Sequence, residues 1–355
     1  MDVYTLNAMT LEIKRHGVLL DKSDHGFENA GALNPACIRV GDQVHVFYRA
    51  VRHGNYSTVG HCLLNGPVEV AERADKPLLM PEHPYESQGM EDPRIVKIGD
   101  TYYMTYTGYD RTNALGAYAT SKDLETFTKH GVITPQFTYR EFKKLIDCCP
   151  DLNQKYLFHY KLLKEHGLGE EIADKLLAWD KNLMFFPRKI NGKFALLHRI
   201  HPGIQIVYFD DPADLDRHFW EQYLMDLKRH IVMDPALPHE SSHIGGGAPP
   251  IETEAGWLLI YHAAEDTPYG FVYHACAALL DRDDPSKLIA RLPDPLISPM
   301  EPYERTGYVK NIIFPSGAVV FDDELYIYYG AADERVAVAS VNLPALVERL
   351  QKNAR

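Results

Sequence analysis

One short design occurs five times in this chain: a proline, an apolar stretch, a tight turn, then a second apolar stretch ending in an aromatic residue or histidine. The copies are NPACIRVGDQVHVFYR (34–49), DPRIVKIGDTYYMTYT (92–107), FPRKINGKFALLHR (186–199), PPIETEAGWLLIYH (249–262) and FPSGAVVFDDELYIYYG (314–330). Aligned on the second stretch, the aromatic-or-histidine position holds Tyr48, Tyr106, His198, Tyr261 and Tyr329. The next position holds Arg49, Thr107, Arg199, His262 and Gly330. The first position recurs in kind while its neighbour diverges, as expected when a repeated scaffold carries a single site.

Stretches such as Val44-His45-Val46-Phe47-Tyr48 and Leu325-Tyr326-Ile327-Tyr328-Tyr329 are short, β-branched or aromatic, and bounded by Gly-Asp, Asn-Gly or Asp-Asp. Those are strand and hairpin signals. A third strand is expected after the copies, at 58–64, 116–120, 204–209, 271–280 and 336–341. Each copy then forms a small antiparallel meander that cannot bury both faces alone. The turn residues Gly41, Gly99, Gly192, Gly256 and Asp323 are spaced by 58, 93, 64 and 67 residues. Repeats of this size suggest radial stacking, so the chain reads as an all-β protein: a five-bladed β-propeller forming one domain over residues 1–355. A β-sandwich is the competing architecture, but it has no need of five equivalent prolines.

The longest interval contains residues 139–179, rich in Leu, Lys and Glu with apolar residues at helical spacing. It reads as two or three helices inserted between blades two and three, broken at Pro150 and at Gly167-Leu168-Gly169. Two roles are open for it: a packing appendage through which the chain forms a homo-oligomer, or a lid over the pocket. Residues 343–355 read as a short closing helix.

Hydrophobic content of 45% and charged content of 24% are ordinary for a soluble globular protein. A formal charge of -12 argues against a general nucleic-acid or anionic-membrane binder, although it leaves room for a local basic pocket. There is no signal-peptide core and no run long enough to span a bilayer, so a cytoplasmic location is expected. Five irregularly spaced cysteines form neither a disulfide framework nor a CxxC pair, and the histidines show no HExxH spacing, so no metal or cofactor is expected. Gly245-Gly246-Gly247 lacks the Gly-Lys-Ser/Thr of a nucleotide loop and reads as a close-approach turn.

Inner strands of a propeller begin around a central funnel, which directs attention to Asn34, Glu91, Asp92, Phe186, Pro249 and Phe314. Only the second copy offers carboxylates there. In an extended strand Glu91 and Asp92 point to opposite faces, so one faces the funnel as an acid and the other is free to anchor Arg94. Arg49, Arg199 and His262 share one position in three repeats, which radial symmetry would bring toward one axis. Lys181 and Asn182 lie ahead of the third inner strand, and Tyr273 follows the second strand of the fourth blade. Several cations converging in an acidic protein are costly unless an anion neutralises them, and Arg forks suit phosphate oxygens.

The motifs GMEDPRI (89–95), KNLMFFPRKINGKFALLHR (181–199), GGGAPPIETEAGWLLIYHA (245–263), FVYHACAALLD (271–281) and NIIFPSGAVVFDDELYIYYGAAD (311–333) together resemble glycoside hydrolase family 130. That family contains β-mannoside phosphorylases and some β-mannosidases on a five-bladed propeller. The resemblance covers nearly the whole chain apart from the helical insert. It implies Asp92 as general acid, with Arg49, Lys181, Asn182, Arg199, His262 and Tyr273 as the phosphate site. It further implies that Asn34, Arg94 and Asp333 line the sugar pocket. Position 181 departs from the family pattern, being Lys where many phosphorylases carry Arg. The implied reaction is an inverting phosphorolysis of β-linked manno-oligosaccharides to α-mannose 1-phosphate, with inorganic phosphate as co-substrate and β-1,2 linkages favoured over β-1,4. In it the acid works through the mannosyl 3-hydroxyl. The nearest alternative is a β-mannosidase, for which Glu240 or Glu265 would supply the base. A non-catalytic carbohydrate-binding propeller is the alternative from a different class.

Overall fold

The computed structural model describes residues 11–165, 172 and 174–354. Among the described residues its strands form five antiparallel meanders, each built on one of the repeats, the first two joined into one sheet by a parallel bridge between Ser57 and Gly89. The first runs Gly31–Val40, Gln43–Arg52, Tyr56–Asn65 and Glu69–Arg73. The second runs Gly89–Ile98, Thr101–Tyr109, Ala114–Ser121 and Phe127–Val132. The third runs Asp180–Phe185, Phe194–Ile200, Ile204–Phe209 and Ile231–Met233. The fourth has His243–Gly246, Gly256–Thr267, Gly270–Leu280 and Leu288–Arg291, with Ile251–Thr253 as an added short strand. The fifth takes Ile313–Phe321, Glu324–Ala331 and Arg335–Asn342 from the C-terminal end, and its outer strand, Lys14–Leu20, from the N-terminal end.

Alternation along the strands explains how the meanders stack. In the first, Val46 and Tyr48 pack with Tyr328 and Val338 of the fifth, whereas Phe47 and Val59 pack with Met104 and Tyr106 of the second. Leu258 and Ile260 meet Ile327 and Tyr329 in the same way, while Trp257 and Leu259 meet Leu197 and Ile206. Val96 of the second meander joins Leu196 and Val207 of the third. Apolar clusters thus lie between each successive pair of meanders, and one joins the fifth to the first. Covering on both faces is why Trp257 to Tyr261 reads as an unbroken apolar run and the strand stays buried through Ala264.

The repeated aromatic-or-histidine position has a specific task. Tyr48, Tyr261 and Tyr329 donate to fully buried carboxylates, Glu28 at 2.7 Å, Glu240 at 2.7 Å and Glu304 at 2.8 Å. Each of these acids also holds a cation: Arg73 at 3.0 Å, Arg291 at 2.9 Å and Arg15 at 2.9 Å. In the second meander Glu86 takes Lys129 at 2.6 Å, and in the third His198 bonds Asp180 at 2.7 Å. Glu86, Glu240 and Glu304 lie in one-turn segments that begin Pro-x-Glu and accept backbone N–H groups three and four residues upstream. Glu240 is therefore a structural brace. The expectation that it could act as a base is overturned by its complete burial and four partners.

Two further expectations change. The prolines do not share one structural register. Pro35 and Pro93 sit two residues after the partners of Arg49 and Thr107, whereas Pro187 lies six residues after the partner of Arg199. The glycine run is not a turn: Gly245 and Gly246 belong to strand His243–Gly246. Between the second and third meanders lie helices Tyr139–Ile146 and Phe158–Glu165, the first started by a Thr138–Glu141 capping box. Pro150 falls in the turn between them, while Gly167-Leu168-Gly169 lies outside the described residues. A helix not anticipated from sequence, Arg217–Met225, covers the same side, and Leu343–Lys352 closes the chain. No helix among the described residues is long and apolar enough to cross a membrane.

Glu304 fastens the N-terminal strand to the last meander through Arg15, so Glu304→Ala removes the partner of a half-buried guanidinium, the buried Tyr329 hydroxyl and two backbone N–H groups. We expect a loss of about 3–5 kcal/mol in unfolding free energy, read as a lower urea midpoint; an unchanged midpoint would contradict this role.

Candidate active site

Inner strands of four meanders break their register at the same end of the molecule, at Leu33/Ala36, Glu91/Arg94, Lys181/Met184 and Pro315/Gly317. In three of these bulges the extra residue is left-handed: Asn34 at φ 49°, Asp92 at φ 51° and Asn182 at φ 54°. Asn and Asp tolerate that conformation because a short polar side chain can bond locally. A bulge re-aims side chains, and these three project into one cavity of about 340 Å³. The simple extended geometry that would set Glu91 and Asp92 on opposite faces does not hold, because the bulge intervenes and both reach the cavity.

The cavity wall has two halves. On one, Asn34 Nδ2 donates to Asp92 Oδ1 at 2.7 Å. Arg49 Nη2 pairs with Glu91 at 2.7 Å, and Arg49 Nη1 lies 3.8 Å from Asp92. Arg49 also donates to Ser57 and Asn55. Burial works against its charge, but Glu91, Asp92 and Asp333 outweigh that and raise its pKa. Arg49 thus belongs with the acids, not with the free cations among which sequence reasoning put it. Asp333, left-handed at φ 55°, completes this half, and burial lifts its carboxyl from 3.8 to about 6.

The other half carries Lys181, Asn182, Arg199, His262 and Tyr273. Lys181 and Arg199 form no ion pair among the described residues; Lys181 instead stands 5.0 Å from the Trp179 ring centroid. Burial lowers the pKa of both, which expresses the cost of holding charge there. His262 is lowered well below its usual value by burial and then by Arg199 and Arg94, so it is neutral. Burial raises the Tyr273 phenol. Arg199 Nε, His262 Nδ1 and Asn182 Oδ1 are buried with no hydrogen-bond partner among the described residues. Gly245 makes this half possible, since a Cβ there would overlap the His262 ring.

Nine of the ten expected site residues therefore line one cavity. The exception is Arg94. It is buried behind Asp92, with its guanidinium on the carbonyls of Gly247, Asp92 and Pro93, and burial pulls it down to about 10. It fixes the bulge and does not reach the sugar pocket implied for it. Phe186 and Pro249, expected at the funnel, also lie outside the cavity, a consequence of the unequal proline registers. Glu265 bonds His274 at 3.2 Å and does not line the cavity either. Residues that sequence reasoning passed over include His243, whose Nε2 lies 3.3 Å from Tyr273 Oη, and the Phe271 ring. No cluster of three or more potential metal ligands occurs among the described residues.

The family model described as beta-1,4-mannooligosaccharide phosphorylase matches residues 21–167 and 164–352. The chain belongs to glycoside hydrolase family 130. It is 35% identical over 338 residues to a 1,2-beta-oligomannan phosphorylase of Thermoanaerobacter sp. (strain X514), spanning 92% of this chain and 95% of that one. It is 32% identical over 340 residues to a beta-1,2-mannobiose phosphorylase of the same organism, spanning 91% and 94%. Among solved structures, a beta-1,2-mannobiose phosphorylase from Listeria innocua in complex with beta-1,2-mannobiose superposes with a TM-score of 0.70 at 23% identity. That match covers 96% of this chain and 100% of the other. A fold likeness at such identity speaks for the scaffold; the arrangement of this family 130 site rests on its own residues.

The raised Asp333 carboxyl has a consequence for stability. As pH climbs from about 4 to about 6 the unfolded chain releases this proton before the folded one does, so stability is lost across that window and stays lost above it. Asp333→Asn keeps the shape and tolerates the left-handed backbone. It is expected to unfold at a higher temperature than wild type at about pH 8, with the difference vanishing toward pH 4. A variant no more stable at the higher pH would contradict the assignment.

Proposed function

We propose that this chain is an inverting β-mannoside phosphorylase, a single-domain five-bladed β-propeller acting on β-1,2-linked manno-oligosaccharides with inorganic phosphate. The observation that carries the proposal is the separation of charges across the cavity. Asp92, Glu91 and Asp333 gather around Arg49, while Lys181 and Arg199 have no carboxylate partner among the described residues. An inverting hydrolase needs a second carboxylate to deprotonate water on the face opposite its acid. Phosphate is already an anionic nucleophile and needs cations there instead. The propeller reading is supported by the apolar clusters that run between successive meanders and from the fifth to the first.

In this reading Lys181 and Arg199 bind the phosphate, with Asn182, the neutral His262 and the Tyr273 hydroxyl taking up its remaining oxygens. Asn34, Arg49 and Asp333 hold the sugar. Asp92 delivers its proton to the leaving oxygen by way of the mannosyl 3-hydroxyl, and phosphate attacks the anomeric carbon from the other face. The bond from anomeric carbon to leaving oxygen breaks as the one to phosphate forms, giving α-mannose 1-phosphate and a shortened sugar. Holding both reactants removes up to about 7–11 kcal/mol of the entropic barrier.

Incubation with β-1,2-mannobiose should release mannose 1-phosphate only when phosphate is present; equal sugar cleavage without phosphate would make the protein a hydrolase. Asp92→Asn is expected to lower kcat by about 10²–10⁴ while leaving sugar binding measurable by calorimetry. Arg199→Ala is expected to raise the KM for phosphate by about tenfold or more with little change in the KM for sugar; equal changes in both would remove Arg199 from the phosphate site.

A further inference from the structure

A second cavity, of about 490 Å³, adjoins the first and shares Arg49 and Asp333 as a common wall. Its rim comes from the Asn29 loop, from residues 52–55 and from Gly307-Tyr308. Its charges are already matched or, for Arg52, laid against an aromatic ring. Lys22 pairs with Glu334 at 3.1 Å, and Glu334 also takes Arg335 at 2.9 Å. Arg52 lies 4.2 Å from the Tyr56 ring centroid, and the Asn29 side chain accepts the His53 N–H at 3.0 Å. A neutral polyol suits such a wall better than an anion does, in contrast to the unpaired Lys181 and Arg199 next door.

Tyr308 stands at the mouth with 79% of its surface exposed. Its loop is held firmly: a Cβ on Gly307 would overlap the Ala332 carbonyl, which also accepts the Val309 N–H at 3.1 Å. A large aromatic face kept in water by a fixed loop is the kind of surface on which a pyranose ring stacks. Direction follows from the stereochemistry. In an inverting displacement the nucleophile and leaving group occupy opposite faces of the sugar. With phosphate on Lys181 and Arg199, the leaving sugars extend toward Arg49 and Asp333, where the second cavity opens.

We infer that the first leaving sugar rests at the shared wall of Arg49 and Asp333 while this cavity seats the units beyond it, with Tyr308 as the stacking platform of those further units only, so that the chain prefers β-linked oligosaccharides of three or more units to the disaccharide. The inference rests on the phosphorylase reading for its direction but is separable from it by experiment. Wild type and Tyr308→Ala are assayed with phosphate on β-1,2-linked mannobiose, mannotriose and mannotetraose, reading mannose 1-phosphate. In wild type kcat/KM is expected to rise about tenfold from the disaccharide to the longer sugars. In Tyr308→Ala the rise disappears while disaccharide turnover stays within about twofold of wild type. A flat length dependence in wild type, or a rise that survives Tyr308→Ala, overturns the inference. In parallel, calorimetry of the same sugars on Asp92→Asn, with and without Tyr308→Ala, reads affinity without turnover. Affinity that rises with length through Tyr308, with no mannose 1-phosphate formed by wild type, keeps the cavity and refutes the phosphorylase reading; absence of both refutes both.

Discussion

Two largely buried cations with no carboxylate partner among the described residues, Lys181 and Arg199, are the feature on which the rest of the site depends. Taking an ammonium or guanidinium out of water costs several kcal/mol per ion even after relaxation, and elsewhere in this chain that cost is met by pairing. Arg15, Arg73, Arg291 and Lys129 each reach a fully buried glutamate. Lys181 and Arg199 do not, although they sit in the same kind of interior. The fold spends its packing on holding them there: Asp180 accepts the Arg199 backbone N–H at 3.2 Å, and a bulge at Lys181 turns Asn182 inward. An anion from solution is the missing partner, and a phosphorylase is the enzyme that needs one.

The acid half obeys the opposite logic. Three carboxylates in one cavity repel one another unless a cation stands among them, and Arg49 does so. Asp92 is oriented by Asn34 in front and, through its own carbonyl, by Arg94 behind. Even Gly330, at the place where other repeats carry Arg or His, fits this arrangement, since a side chain there would overlap Asn34. The same repeat position therefore supplies a paired cation, a free cation, a neutral imidazole and an empty space.

Much of this was legible in the sequence because hydrophobic alternation and turn chemistry are local signals. The third strands expected at 204–209 and 271–280 lie within a residue of those observed. Arg199 and His262 converge as the repeat alignment implied. What escaped depended on distant partners or on backbone irregularity. Glu86, Glu240 and Glu304 carried a readable sign, the recurring Pro-x-Glu, but their tyrosine and cation partners lie far along the chain. The bulges shifted Asp92 out of the simple alternation that separated it from Glu91. The family resemblance implies that Arg94 lines the pocket, whereas burial and carbonyl partners put it behind the wall. The strand Lys14–Leu20 joins the last meander from the other end of the chain, a pairing no local pattern announces.

The most direct measurement is a crystal structure of Asp92→Asn with β-1,2-mannobiose and phosphate bound together. The account predicts phosphate on Lys181 and Arg199, facing the anomeric carbon from the side away from residue 92, with the second sugar directed toward Arg49 and Asp333. A water held there by a carboxylate, with Lys181 and Arg199 turned away from any anion, would contradict it.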